Sequence, residues 1–457
     1  MTTADGKHTI SFKGLGDVVG AIVIDGKVNE MPPGFIRDSW AVSADGKRLA
    51  YMVKKEGNKW AAVIDGVEGK SYDAYEPIVS QKPVFSSDGK RVAYFAEVDS
   101  GNSTQGHNEQ FIVLDGKEGK HYGNVWPFVM FSPDSKHVLY VASTQSVKPG
   151  TGEMLSLVID GVEEKAYMGN GYVTPQQDFT FSPDGQKLAY YVWDGKQSRM
   201  VVVNGVEGKS YDAINGPLVF SPDSKHLAYF ARRNGKLFIV VDGVEGKEFD
   251  DAQRADDAPA LYFSPDSNRI AYRAKQGDKY CAVIDGVDGK LYDQVSQAIY
   301  FSPDSKHISY SAKNGDKNLN ILDGVETKGY YSSGQPAFSP DGKHFAYWAR
   351  PSIDYTNYLV VVDGVEGKEY KSPAADPVFS PDGKHLVFVA LGDTPYDEVI
   401  VADDVEYHTQ LLRVMDPRLG IYFKPLQFES PTRFSYEAMK PNQQFVKVTV
   451  DILDASQ

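Results

Sequence analysis

The chain repeats itself. Sliding the stretch from Val219 to Ala252, VFSPDSKHLAYFARRNGKLFIVVDGVEGKEFDDA, along the sequence finds it again about every forty residues, the length of one four-stranded propeller blade. Two landmarks hold the register. A turn aspartate followed by Gly or Ser stands at Asp5, Asp45, Asp88, Asp134, Asp184, Asp223, Asp266, Asp304, Asp341 and Asp382. The second closes the strand V-V-V-D-G, at Asp25, Asp65, Asp115, Asp160, Asn204, Asp242, Asp285, Asp323, Asp363 and Asp403. By length alone 457 residues suggest several domains, but a repeat array grows by adding units to one body.

Each copy splits into four short strand-like pieces, a to d. Piece a ends in the Phe of F-S-P-D, as at Phe220, Phe263, Phe301, Phe338 and Phe379, and S-P-D-G/S-K is turn chemistry. Piece b is H-L-A-Y-F-A with a recurrent aromatic, for example Tyr229, Tyr272, Tyr310, Tyr347 and Phe388. Piece c is a β-branched run, and D-G-V-E-G-K turns it into piece d, which carries its own aromatic at Tyr72, Tyr122, Tyr211, Phe249, Tyr292 and Tyr370. A lone four-stranded sheet has two faces to cover, so these rings are expected to pack between neighbouring blades as core.

The F-S-P-D-G-K…L-A-Y pattern resembles the S-P-D-G-containing, TolB-like and WD-repeat-like propeller repeats of bacterial proteins, over about residues 1–410. The resemblance implies an all-β fold, a β-propeller of four-stranded antiparallel blades with about ten repeats. It is nearly silent on function, because such propellers include binding scaffolds, periplasmic complex subunits and accessory domains of enzymes.

A single closed ring over residues 1–429 is the expectation, since no Pro/Ser-rich linker or change of spacing marks an internal boundary. The first copy lacks piece a, and a strand from 421–429 is expected to complete it and leave no open sheet edge. Residues 430–457 read as a terminal hairpin or a degenerate extra repeat, RFSYEAM and QFVKVTVDIL, which could also pair with a second copy of the chain.

Strands in a meander reverse direction, so the a–b and c–d turns lie at one end of each blade and the b–c and d–a loops at the other. The first end consists of near-identical copies. The second differs from copy to copy, from RRNGK to EVDSGNSTQGHNE and STQSVKPGTGE, which marks it as the expected binding face. Aromatic and arginine side chains anchor interfaces best, so the candidates there are Tyr75, Trp126, Tyr172, Trp193, Arg232, Arg233, Arg254, Tyr331, Arg350, Tyr355 and Tyr396. The competing reading is that most of them merely cover blade ends.

Net charge is −14, so the field of the molecule repels phosphate backbones and nucleic acid is not an expected partner. The single cysteine, Cys281, excludes an intrachain disulfide. The start, MTTADGKHTISF, has neither a basic n-region nor an apolar h-region, and no run of eighteen apolar residues occurs, so membrane insertion is not expected. As written the chain reads as cytoplasmic; a removed leader would make it periplasmic or secreted.

D-G-V-E-G-K supplies too few oxygens for a calcium loop and reads as a hairpin turn. Asp250, Asp251, Asp256 and Asp257 form a denser acidic cluster, a cation candidate set against the reading of a solvated loop around Arg254. Six of the nine histidines, His8, His137, His226, His307, His344 and His385, occupy one repeat position and read as structural, because equivalent positions do not converge as zinc ligands must. No nucleophile elbow, phosphate loop or dinucleotide fingerprint occurs, and no cofactor is expected. The reading is a non-enzymatic binding or scaffolding propeller that presents its variable loops to a protein or glycan. The alternative is a carbohydrate-active hydrolase or lyase, with acidic and aromatic loop residues around the central pore.

Overall fold

A computed structural model describes residues 8–15, 18–73, 82–99, 109–143, 153–169, 179–193, 198–250, 260–354, 356–392, 398–409, 426–439 and 445–452. All regular structure among them is antiparallel β, mostly in four-stranded meanders that follow the sequence copies, the blade architecture of a β-propeller, with a three-stranded sheet in the first copy and another near the C-terminus. Among the described residues no helix is long and apolar enough to cross a membrane.

The eighth copy illustrates how the sequence builds a blade. Its strands are Gln294–Phe301, Ile308–Asn314, Lys317–Leu322 and Val325–Glu326, paired in that order. In the a–b turn Ser302 Oγ donates to Asp304 Oδ1 at 2.6 Å, and the same oxygen accepts Lys306 N at 3.2 Å, the local side-chain hydrogen bonding for which Asp and Ser favour turns. In the c–d turn Asp323 and Gly324 have φ of +50° and +80°, so both central residues are left-handed, as a two-residue hairpin requires.

The chain divides into two compact units, Met1–Asn234 with Val240–Val244, and Gly235–Ile239 with Glu245–Gln457. In the first, the opening sheet has three strands, Ile10–Leu15, Val18–Ile24 and Lys27–Glu30. Its Ile10, Ile22 and Ile24 pack on Leu49, Tyr51 and Val53 of the second copy. The face of copy two then meets copy three through Tyr72, Tyr94 and Phe111, and copy three meets copy four through Tyr122 and Tyr140.

The second unit repeats the scheme, copy seven on eight through Tyr292 and Tyr310 and copy nine on ten through Tyr370 and Phe388. A d-strand ring meets the b-strand ring of the next copy edge to face: Tyr330 and Tyr347 lie 6.2 Å apart at 71°, Tyr370 and Phe388 5.6 Å apart at 77°. All four are buried, as expected of core.

Residues Gln427–Ser430, Arg433–Met439 and Phe445–Asp451 form a three-stranded sheet of their own. Gln427–Ser430 thus pairs with Arg433–Met439, and residues 421–425 lie outside the described residues. Phe434, Phe428, Val448 and Val450 pack on Val387, Val389 and Ile400 of the tenth copy. The opposite edge of this alternation is charged: Lys447 and Asp451 are exposed and pair with Glu429 and Arg433.

Candidate functional site

The two ends of the blades differ in chemistry as well as in sequence. At the a–b and c–d end, the second landmark aspartate clamps the start of strand b. Asp160 Oδ2 lies 2.7 Å from His137 Nδ1, and Oδ1 accepts Val138 N at 2.9 Å. The same pair joins His226 to Asp242, His344 to Asp363 and His385 to Asp403.

Where the copy carries arginine, the side chain reaches further. Arg48 holds Asp65 through Nε at 2.9 Å and donates from Nη1 to the Gly89 and Lys90 carbonyls of the next turn. Copy five departs, with Asn204 for aspartate: Asn204 Oδ1 still accepts Leu188 N at 2.8 Å, while Lys187 Nζ turns to the Ser224 carbonyl at 2.9 Å. The repeated histidines are therefore structural.

The first landmark closes on itself. Hydrogen bonds from Ser302 and Lys306 hold the Asp304 carboxyl at about 2, and Asp88, Asp134 and Asp266 likewise, each led by its own serine. In copies with D-S in place of D-G, the added hydroxyl joins neighbours: Asp88 N donates to Ser135 Oγ and Asp266 N to Ser305 Oγ, both at 3.0 Å. These groups are engaged with the scaffold.

The outer strands carry a ladder that the sequence reading did not assign. In G-V-E-G-K-x-Y, the lysine stacks on its own ring and pairs with the glutamate of the next copy. Lys328 Nζ sits 5.7 Å from the Tyr330 centroid and 2.7 Å from Glu366, which also accepts the Tyr330 hydroxyl at 2.9 Å. Lys70 to Glu118, Lys120 to Glu163, Lys290 to Glu326 and Lys368 to Glu406 repeat it. The signal was the fixed spacing of Glu, Lys and Tyr within the motif.

The b–c and d–a end is less uniform. Four copies place an aspartate directly after the d-strand aromatic, and it caps the following copy. Asp73 accepts Asp99 N, Asp212 accepts Asn234 N at 2.8 Å, Asp250 accepts Gly277 N at 2.8 Å and Asp293 accepts Gly315 N at 2.7 Å. Copies three, four, eight and nine have Gly123, Met168, Tyr331 and Lys371 there instead.

A second device recurs at this end, where the closing residues of strand b meet the opening residues of strand c. A cation and an aromatic ring oppose one another in register across the strands: Lys54 over Trp60 at 5.8 Å, Arg199 over Trp193 at 5.0 Å and Lys275 over Tyr280 at 6.0 Å, with Arg199 also 5.4 Å from Tyr191 and Arg273 5.0 Å from Tyr280. In copy nine, Arg350 lies 5.2 Å from the Tyr331 centroid and 5.8 Å from that of Tyr358.

Of the sequence candidates, Trp193, Tyr331 and Arg350 thus stand in cation–aromatic pairs. Trp126 is half-buried and packs on the cluster of Leu139, Val141 and Leu157, so it covers a blade face. Arg232 and Arg233 are half-buried at the end of strand Leu227–Arg233. Tyr75, Tyr172, Arg254, Tyr355 and Tyr396 lie outside the described residues, as do Asp251, Asp256 and Asp257. Asp250 is committed to Lys236 at 2.6 Å and to the Gly277 amide, and among the described residues no three His, Cys, Asp or Glu side chains are grouped to hold a metal. Sequence reasoning missed Trp60, Arg199, Tyr280 and Tyr358; pairing the last two residues of strand b with the first two of strand c would have found them.

No family model matches the chain, and no curated protein matches it. Similar solved structures include a crystal structure of the eukaryotic initiation factor, with TM-score 0.38 and 10% identity over 85% of this chain and 93% of that one. Another is TolB from Acinetobacter baumannii, with TM-score 0.25 and 15% identity over 59% of this chain and 77% of the other. At these values neither neighbour assigns a function to this chain.

Proposed function

We propose that the chain is a non-enzymatic binding scaffold, a TolB-like or WD-like propeller repeat protein by its S-P-D-G/S turns, that presents its b–c and d–a end to a protein or glycan. The supporting observation is the contrast between ends. The repeated end ties its carboxylates, hydroxyls and basic side chains into turns and neighbouring blades. The other end replaces its own aspartate caps in four copies and carries guanidinium or ammonium groups against aromatic rings. Rigid aromatics beside arginine are the side chains that dominate binding energy at interfaces.

The test is capture on immobilised chain, from a lysate and on a glycan array, by the native protein and two variant sets. Trp60→Ala, Arg199→Ala and Tyr280→Ala alter the variable end; Lys136→Ala and Lys306→Ala alter the repeated end. Capture lost in the first set and kept in the second supports the reading. Dependence on the second set alone, or no specific capture, removes it.

A further inference from the structure

We infer that the junction of copies eight and nine is a binding site for ordered water, held by Ser309, Asn320 and Tyr347; this is separate from the binding face proposed above and does not rest on it. Both copies lie inside the second compact unit. The starting point is one face of the eighth sheet. Alternation along strands b and c turns Ser309, Ser311, Asn320 and Leu322 to the same side, with Ser309 opposite Leu322 and Ser311 opposite Asn320. Leu322 packs with Phe345, Tyr347, Leu359 and Val361 of copy nine, so this is the side that meets the next blade.

No other of the ten copies carries a polar residue at the place of Ser309 or of Asn320; the flanking copies have Ala271 and Ala346 for the first, Ala282 and Val360 for the second. Ser311 stands where copies three, six and nine carry Phe95, Phe230 and Trp348, so a large ring gives way to a hydroxymethyl group beside Asn320. This face has gained hydrogen-bonding atoms and lost side-chain volume at that place. Those are the two conditions under which a protein interior holds water.

The new polar atoms are only partly used by the protein. Asn320 Oδ1 accepts the Ser311 hydroxyl at 2.8 Å, and the Asn320 backbone N–H donates to Thr327 Oγ1 at 3.2 Å. Asn320 Nδ2, Ser309 Oγ and Tyr347 Oη have no hydrogen-bond partner, although Ser309 and Asn320 are fully buried and Tyr347 nearly so. The two hydroxyls beside Tyr347 are committed elsewhere: Tyr330 donates to Glu366 at 2.9 Å, and Thr327 serves the Asn320 amide and the Lys328 carbonyl. Three buried polar atoms left bare at one junction would each cost stability, and buried groups of this kind are satisfied by water where protein does not reach them.

The same atoms select water over other ligands. Asn320 Nδ2 can only donate, and the two hydroxyls can donate or accept, so the bound species must accept from one group and serve the others in either sense. Burial holds the Tyr347 phenol above its usual range, which keeps it protonated and able to do both. A cation meets hydrogens on Asn320 and finds no free carboxylate, since Glu366 already holds Lys328 and the Tyr330 hydroxyl. An organic ligand would have to part the Tyr330 and Tyr347 rings, whose centroids lie 6.2 Å apart edge to face.

The test is a crystal structure of the full chain at a resolution that shows ordered water, together with magnetic relaxation dispersion of the water signal, which counts internal waters that exchange slowly. Expected is an oxygen within hydrogen-bonding distance of Asn320 Nδ2 and of at least one of the Ser309 and Tyr347 hydroxyls. The dispersion amplitude should fall by about one water or more when Ser309→Ala and Asn320→Leu are combined, and Lys343→Ala at the repeated end should leave it unchanged. If the double variant fails to fold, Tyr347→Phe carries the solution arm: Phe388 holds that place in copy ten, and the amplitude should fall with loss of the hydroxyl. A junction without the oxygen, bare atoms that bond one another instead, an ion ringed by oxygens, or an amplitude that these variants leave unchanged overturns the inference. None of these outcomes bears on capture at the variable end, which is judged by its own variants.

Discussion

Asp323 answers two donors at once: Oδ2 lies 2.6 Å from His307 Nδ1, and Oδ1 accepts Ile308 N at 2.9 Å. The aspartate also sits at φ +50°, a conformation that Asp and Asn tolerate better than other side chains do. One residue therefore shapes the c–d turn and fixes the start of strand b. Asp323→Ala loses both bonds and strains the turn, with an expected cost of about 1.5–2 kcal/mol, at the low end for bonds to a charged group because the site is half exposed. Asp323→Asn keeps the amide bond, as Asn204 does naturally with Leu188, and should cost less than about 1 kcal/mol. Equilibrium urea unfolding separates the two; equal losses would contradict this division of roles.

The glycines of the two turn types are not equivalent. Gly342 has φ +74°, and a Cβ there would stand 2.4 Å from Asp304 Oδ1 of the preceding copy; at Gly364, with φ +84°, a Cβ would meet nothing within 4 Å. Gly364→Ala should show only the backbone cost of positive φ, about 1 kcal/mol. Gly342→Ala must also displace the Asp304 carboxylate from its turn and should cost clearly more, read as a larger fall in melting temperature. Equal falls would mean that the turn shifts without resistance.

The a–b turn aspartates set the response to acid. Asp88, Asp134, Asp266 and Asp304 are held at about 2, below the 3.8 of a free aspartate. A carboxyl whose folded value is depressed contributes stability that is present above the unfolded value and is lost as pH falls through the folded one. Stability should therefore decline between about pH 4 and pH 2. Ser302→Ala removes the largest cause of the Asp304 shift, and the carboxyl should then titrate closer to 3.8 by NMR. An unmoved titration would assign the depression to the Lys306 contacts instead.

The strands, the turn types and the buried rings could be read in the sequence because each is a local pattern repeated in register. Tyr310 is the third residue of its b strand, a place that a buried aromatic holds from the second copy to the tenth, and burial of such a ring is a property of the period. What joins one copy to the next was less legible. Lys328 and Glu366 belong to different copies, and their contact depends on the offset between sheets, which no single repeat encodes. The same holds for Tyr331 and Arg350. Both were singled out by residue type, but Tyr358 completes the stack only because strand c lies beside strand b. The three-stranded C-terminal sheet keeps the alternation of Phe434, Val448 and Val450 while lacking the Asp-Gly turns that marked every other copy.

The outer ladder should behave as a coupled unit. Glu366 accepts both Lys328 Nζ and the Tyr330 hydroxyl, and burial with this carboxylate beside it holds the Tyr330 phenol well above its usual range, protonated and donating. Lys328→Ala should cost about 0.5 kcal/mol, as an exposed ion pair does. Tyr330→Phe leaves the buried ring and removes one bond, for about 1 kcal/mol. A double-mutant cycle of each with Glu366→Gln should give a larger coupling for Tyr330 than for Lys328. The reverse order would make the ammonium the main contact between the blades.

The C-terminal sheet covers the tenth copy and ends in charge. Phe434 is fully buried against Val387, Val389 and Ile400, while Arg433 meets Asp451 at 2.6 Å and Lys447 meets Glu429 on exposed positions. This is the form of a capping unit in a repeat array, apolar inward and polar outward. Removing residues 426–457 would leave that apolar face of copy ten uncovered, so the truncated chain should melt lower and associate as its concentration rises, seen as mass in light scattering. Were the sheet instead the element through which two chains pair, truncation would lower the mass of an existing oligomer. The packing of Phe434 predicts the rise, and a truncated chain that stays monomeric with an unchanged melting temperature would deny the sheet its covering role.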